Sequence, residues 1–194
     1  MSTLNCVAFD LGAESGRAML GRFDGERLTL EQAHRFPNGP VRVFDSLHWD
    51  VLRLFDEMKK GLAAAARLAG GAIASVGVDT WGVDYALLGA DGALLENPYH
   101  YRDARTNGVM EKLFAVVPRD QVFEQTGIQF MQLNTLYQLY ATRLARPHLL
   151  DQAQTLLMMP DLFHYWLTGR AVRDRKSTRL NSSHSRASRM PSSA

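Results

Sequence analysis

The sequence predicts an α/β fold: a mixed sheet that starts antiparallel and carries flanking helices. Three observations predict it. Two short apolar runs, "VAFDLG" and "VGVDTWG", each end in an aspartate close to a glycine. One long stretch of helical period lies between them, and after Pro98 the alternating texture gives way to further helical stretches.

Taken in order, Val7, Ala8 and Phe9 between polar boundaries make "CVAFDLG" a short buried strand. "GRAMLGRF" and "RLTLEQAHRF" follow as strands, parted by the Asp24-Gly25 turn signal. Pro37, Asn38, Gly39 and Pro40 then break the chain. Val51, Leu54, Phe55, Met58, Leu62, Ala65, Ala66 and Ala69 recur at steps of three and four, the spacing of one helix face. Asp50 is its expected N-cap and Gly70-Gly71 its stop. "ASVGVDTWG" is a further strand ending in aspartate, and "VDYALLGADGALLE" reads as a hairpin about Asp91-Gly92. "YHYRDARTNG" is a polar loop, followed by helical stretches over 110–116, 119–125 and 135–144. "MPDLFHYWLTG" reads as a short helix capped by Asp161 and closed by Gly169, and coherent patterning ends near Val172.

A chain of 194 residues has room for one full domain or for part of a larger protein. Its 46% apolar and 22% charged content is that of a soluble globular protein. The single cysteine, Cys6, lies in the first apolar run and cannot form an internal disulfide, which favours a structural thiol in a reducing compartment. The N-terminus lacks a secretory signal pattern, and no apolar run approaches the roughly 20 residues of a spanning helix. The expectation is a cytoplasmic protein with no membrane partner.

The formal charge of +2 hides an uneven distribution. Residues 175–194 hold five basic residues, seven serines and no acid, so residues 1–174 carry −3. That segment has no aromatics for base stacking and no helical period, so nucleic acid is not an expected partner. Its composition predicts disorder, and its wording resembles translated adapter sequence. The expected organisation is an N-terminal domain over 1–174, truncated, and a disordered Ser/Arg-rich tail over 175–194 that is foreign to it.

The chemistry centres on "GAESGR" after the first aspartate. No Lys-Ser/Thr pair follows a Gly-rich loop, which excludes a Walker A motif, and no G-x-G-x-x-G opens a helix. What remains is a strand–turn–strand with mostly small turn residues, whose backbone N–H groups can approach an anion closely. Ser15 adds a hydroxyl donor and Arg17 a permanent guanidinium suited to phosphate. Asp10 at the strand end could hold a water on Mg²⁺. On these residues alone, an anion-binding turn and a plain hairpin with a surface arginine stand level. The echo in "VGVDTWG" tips the balance: parallel neighbouring strands would set Asp10 and Asp79 at one sheet edge, where α/β folds bind ligands. Trp81 and Gly82 would then offer an apolar wall and open backbone to a substrate. The competing interpretation has Asp79 capping a turn and Trp81 in the core. Arg102, Asp103 and Arg105 favour a structural ion-pair loop over catalysis. The histidines show no metal-ligand spacing.

Seven segments, "NCVAFDLGAESGRAML", "HRFPNG", "VGVDTWGVDYALL", "YRDARTNG", "TGIQF", "NTLYQL" and "LLMMPDLFHYWLTG", together resemble the rhamnulokinases within the FGGY carbohydrate kinases. They run in the family's order over nearly all of residues 5–170. The resemblance implies an RNase H-like (actin-like ATPase) N-terminal domain of a sugar kinase, here incomplete. It also implies ATP- and Mg²⁺-dependent phosphorylation of L-rhamnulose at its 1-hydroxyl in L-rhamnose catabolism. The family's ATP-contacting loop maps onto Ala13, Glu14, Ser15, Gly16 and Arg17, and its sugar contact onto Gly82. Asp10 matches the Mg²⁺-side carboxylate, while Trp81 and then Phe130 are weaker choices for a sugar-pocket wall. Glu14 departs from the Ser or Thr of many sugar kinases. The family's His-Asp-Thr motif, which supplies the catalytic base, comes later and no "HDT" occurs here, so no catalytic residue is expected in this chain. Alternatives are another ketose or polyol kinase of the superfamily, or a non-catalytic sugar- or nucleotide-binding module.

Overall fold

The structure is a computed structural model that describes residues 3–172; the expected tail over 175–194 lies outside the described residues. Strand β1 (Leu4–Leu11) alternates strictly enough to bury Val7, Phe9 and Leu11 on one face while Ala8 and Asp10 point to the other. A three-residue turn returns the chain antiparallel as β2 (Ser15–Phe23), and Asp24-Gly25 turns it again into β3 (Leu28–Pro37). Helix α1 (Val51–Ala69) crosses over to β6 (Ile73–Thr80), which lies parallel to β1 and completes a sheet of order β3-β2-β1-β6. The helix begins and ends as its residues dictate. The Asp50 side chain accepts from the Arg53 N–H at 3.1 Å, and Gly70 closes the helix in the left-handed region at φ 62°.

Val51, Leu54, Met58 and Ala65 of α1 are buried against the inward residues of β1 and β2. Contact is closest at Gly61, where an added Cβ would stand 2.7 Å from the Ala18 Cβ. The opposite face of the sheet is largely open: Leu28 and Leu30 of β3 are exposed, as are Asp10 and Asp79. A comparable constraint acts at Gly16, whose Cβ would come within 2.3 Å of the buried Phe36 ring. Gly16→Ala is therefore expected to cost about 1–3 kcal/mol by overpacking. Phe36→Leu in the same chain should recover part of that loss, as read by urea denaturation.

Three features escape the sequence pattern. The break at 37–40 is followed at once by a hairpin, β4 (Pro40–Val43) and β5 (Ser46–Trp49), with Pro40 at a strand start where its missing N–H is tolerated. The hairpin docks on the segment after Pro98: Trp49 N–H donates to the Pro98 carbonyl and His100 N–H to the Leu47 carbonyl, both at 2.9 Å. Helix α5 (Pro147–Gln152) starts on a proline, which suits the first helical turn. Strand β8 (Thr155–Met158) is the third, and it corrects the expected hairpin about Asp91-Gly92. The turn itself forms, with Gly92 at φ 77°, but its second arm contributes only the Leu88–Leu94 bridge. The full partner of β7 (Tyr85–Leu88) is β8, antiparallel from Tyr85↔Met158 to Leu88↔Thr155.

The expected helices form as α2 (Val109–Phe114), α3 (Arg119–Thr126) and α4 (Thr135–Ala145). Val109, Leu113, Tyr137 and Ala141 join α2 and α4 in a second core. Helix α6 (Met159–Thr168) closes on Gly169 at φ 71°, but its N-cap is Met158, not Asp161. Asp161 lies buried inside the first turn, where the partial positive charge of the helix start favours a carboxylate. No helix among the described residues is long and apolar enough to cross a membrane.

Candidate functional site

The parallel pairing of β1 with β6 sets Asp10 directly across from Asp79, at the C-terminal ends of both strands and on the uncovered face of the sheet. Both carboxylates are exposed. Arg17 is the antiparallel partner of Asp10, and its guanidinium lies 3.7 Å from that carboxylate. An ion pair so open to water contributes little stability, which leaves the guanidinium free to exchange partners.

The turn beside them is held by its carbonyls. Gly12 N–H donates to the Ser15 carbonyl at 3.0 Å, Asn38 Nδ2 donates to the Gly12 carbonyl at 2.7 Å, and Asn38 N–H donates to the Glu14 carbonyl at 2.9 Å. The Ala13 and Glu14 N–H groups meet no acceptor among the described residues. Amide donors left unspent in a braced turn, beside a guanidinium, are groups of the kind that bind anions. The Glu14 side chain is exposed, clear of the braces made by its backbone. Asn38, in the segment that reads as a mere break, was not singled out from the sequence, yet it holds the turn in shape.

For Mg²⁺ the donor set is open: Asp10 and Asp79 face each other in register, and no cluster of three metal-ligating side chains occurs among the described residues. Two carboxylates without an enclosing cage fit a small cation that keeps its waters and is held chiefly by a substrate's phosphates.

Beyond β6 the chain makes an unusual bend. Asp84 N–H donates to the Gly82 carbonyl at 3.0 Å, closing a tight turn with Val83 at φ 69°. A β-branched residue in that region costs about 1–3 kcal/mol and persists only where neighbours enforce it. Here the start of α4 does so: Thr135 Oγ1 donates to the Val83 carbonyl at 2.7 Å. Gly82 is partly exposed on this bend. Trp81 stacks on the fully buried Trp49 with ring centroids 3.8 Å apart. It thus joins the core on one face while remaining partly accessible.

Under the bend lies Asp84, fully buried and not anticipated as a site residue. Its Oδ2 accepts from Trp49 Nε1 at 2.6 Å, Trp81 Nε1 at 3.0 Å and the Tyr101 N–H at 3.2 Å, and its Oδ1 accepts from Gln138 Nε2 at 2.7 Å. Burial pushes this carboxyl up to about 6, against the pull of those donors. The sequence signal was a charged residue inside the apolar run "GVDYALL".

The remaining expectations sort out on packing. Asp103 accepts from the Leu47 N–H at 2.6 Å and the Arg105 N–H at 2.9 Å. Arg105 donates to Thr142 Oγ1 and Gln138 Oε1 and lies 3.9 Å from the Tyr99 ring centroid. Caps and stacking hold this loop in place of the expected ion pairs. Phe130 packs among Phe114, Phe123 and Arg119, in the α2–α4 core.

The FGGY family of carbohydrate kinases, N-terminal domain, matches residues 5–191. The chain is 45% identical to a rhamnulokinase of Bacteroides thetaiotaomicron over 168 residues, covering 87% of this chain and 34% of that protein. It is 47% identical to a rhamnulokinase of Pectobacterium atrosepticum over 174 residues, covering 89% and 35% respectively. The chain thus spans about a third of the length of the curated relatives it matches. Among solved structures, a gluconate kinase from Lactobacillus acidophilus superposes with a TM-score of 0.80 at 17% identity, over 93% of this chain and 36% of that one. A Plasmodium falciparum glycerol kinase with ADP gives 0.66 at 13% identity, over 92% and 41%. The mixed sheet with its flanking helices is the fold these kinases share, and the chain belongs to the FGGY family of carbohydrate kinases.

Proposed function

We propose that the chain forms the phosphate-side and part of the sugar-side wall of a kinase that transfers the γ-phosphoryl group of ATP to the 1-hydroxyl of L-rhamnulose, in L-rhamnose catabolism in the cytoplasm. The observation that carries it is the braced turn at 12–15, with two unspent N–H groups beside Arg17 and the Asp10–Asp79 pair. The names of the 43–47% identical relatives support L-rhamnulose as the sugar.

Phosphoryl transfer depends on positioning and charge neutralisation more than on covalent participation by the protein. The Ala13 and Glu14 N–H groups and the Ser15 hydroxyl would hold phosphate oxygens, and Arg17 would exchange its exposed carboxylate partner for them. Gly16 lets β2 run close to Phe36 and so fixes where the turn sits. Asp10, with Asp79 opposite, would hold the water shell of Mg²⁺, which when bound offsets charge on the transferred group. Gly82 and Trp81 would present backbone and an apolar ring to the sugar. The base that takes the proton from the sugar hydroxyl belongs to a segment of the kinase outside these residues, so the 194-residue chain by itself turns over negligibly and binds ATP weakly.

Arg17→Met is expected to weaken MgATP binding to the chain about ten-fold, the size of one charge-assisted contact, by calorimetric titration. In the kinase that carries this domain, L-rhamnulose-dependent ADP formation should fall in parallel. Unchanged ATP affinity would remove the turn from the nucleotide site. Robust turnover by the 194-residue chain alone would overturn the placement of the base outside it.

A further inference from the structure

We infer that Asp84 is a positioning residue for the sugar subsite: it holds the Trp81 ring and, through Gln138, the bend at Gly82–Val83 in the one arrangement that presents both to the substrate. The inference rests on the sugar-kinase assignment above and deepens it. Asp84 touches neither the open sheet face nor the turn at 12–15; its partners are two indoles, one amide side chain and one backbone N–H.

The geometry gives each contact a direction. The Trp81 Nε1 is fixed by Asp84 Oδ2, and the same oxygen fixes Trp49, the ring on which Trp81 rests. One acceptor therefore orients the support and the wall together. On its other oxygen, Asp84 fixes Gln138, whose Nε2 also donates to the Leu133 carbonyl at 2.9 Å and faces the Val83 carbonyl at 3.4 Å. Thr135 Oγ1 holds that carbonyl as well. The left-handed Val83 is thus maintained from the α4 side, and Asp84 itself closes the bend through its N–H to the Gly82 carbonyl. A buried acid is costly unless its lone pairs are satisfied. Three of the four partners that satisfy this one, Trp49, Trp81 and Gln138, shape the bend and the ring, and the fourth is the Tyr101 N–H. An apolar residue of similar size would pack the site without that burial cost and would leave both free to turn.

Asp84→Asn keeps the shape but must aim an NH₂ group at one set of donors, since no neutral amide accepts on both sides. Gln138→Met keeps the volume on α4 and removes the link to the bend. The test uses the 194-residue chain carrying Trp166→Phe, which leaves Trp49 and Trp81 as the indole reporters. L-rhamnulose is titrated by fluorescence and MgATP by calorimetry. Expected is a sugar affinity at least about ten-fold lower in both variants, with ATP affinity within about two-fold of the parent, the scale of one lost charged hydrogen bond at one subsite only. Unchanged sugar affinity, or loss of sugar and ATP in parallel, would overturn the inference while leaving the kinase assignment standing. No response of the parent chain to the sugar at any concentration would instead overturn the placement of a sugar subsite on this bend, and the inference with it.

Discussion

Trp49→Ala is expected to destabilise the domain by about 3–5 kcal/mol, the range for removing a buried aromatic, a large share of a fold stability of order 5–15 kcal/mol. Trp49 is 0% exposed and ranks among the largest fully buried side chains. Its loss would open a cavity between Trp81 and His100, whose centroids lie 3.8 and 4.2 Å from its own. It would also strip a charge-assisted donor from Asp84, whose 2.6 Å contact with Nε1 is its shortest. Trp49→Phe separates the two effects: the ring volume is largely kept, the donor is lost, and the cost should fall to about 1–3 kcal/mol. Urea unfolding of the three chains gives the order directly, and near-ultraviolet circular dichroism reports the loss of the stacked indoles. Equal stability of Trp49→Ala and the parent would show that this cluster is not part of the cooperative core.

Much of the sheet was legible because its signals are local. Asp10 and Asp79 could be set opposite one another from two short runs of the same form, and the register Asp10↔Asp79 bears this out. Helix α1 was legible because one apolar face, an Asp cap and a glycine stop all agree. Apart from the short β4–β5 hairpin and α5, what escaped were pairings whose partners lie far along the chain. "TLLM" is too short and uniformly apolar to have a period, and only β7, some 70 residues earlier, makes it a strand. The Asp84 cluster draws on positions 35 and 54 residues distant, Trp49 and Gln138, and neither carries a local mark of that contact. Asn38 was read as part of a chain break because Asn and Gly beside prolines signal turns equally well with or without a role as a brace. The candidate phosphate turn was therefore legible in its donors and hidden in its supports.

The same cluster predicts an unusual pH response. Asp84, raised to about 6 from 3.8, binds its proton more tightly folded than unfolded, so its contribution to stability is complete below about pH 4 and is lost as pH rises through 6. His100 runs the other way. Burial, then the nearby Arg102 charge, lowers it to about 4 from 6.5, and its Nδ1 accepts from the Arg102 N–H at 3.0 Å, which favours the neutral ring. Its contribution is complete above about pH 6.5 and is lost as pH falls through 4. At 1.36 kcal/mol per unit each amounts to about 3 kcal/mol, with opposite sign over nearly the same window. The two therefore offset each other, and between about pH 4.5 and 6.5 the parent chain should show an almost level stability. Removing one partner exposes the other. Asp84→Asn should lose stability as the solution is acidified from pH 6.5, while His100→Gln should gain it. Glu57, held below its usual range first by Lys60 and then by His34, loses its contribution only in more acidic solution and is common to all three chains. Urea unfolding at half-unit steps of pH reads the slopes. Parallel profiles for the parent and both variants would show that neither group is titrating inside the fold, and the matched burial of an acid and a base around Trp49 would then carry no pH dependence.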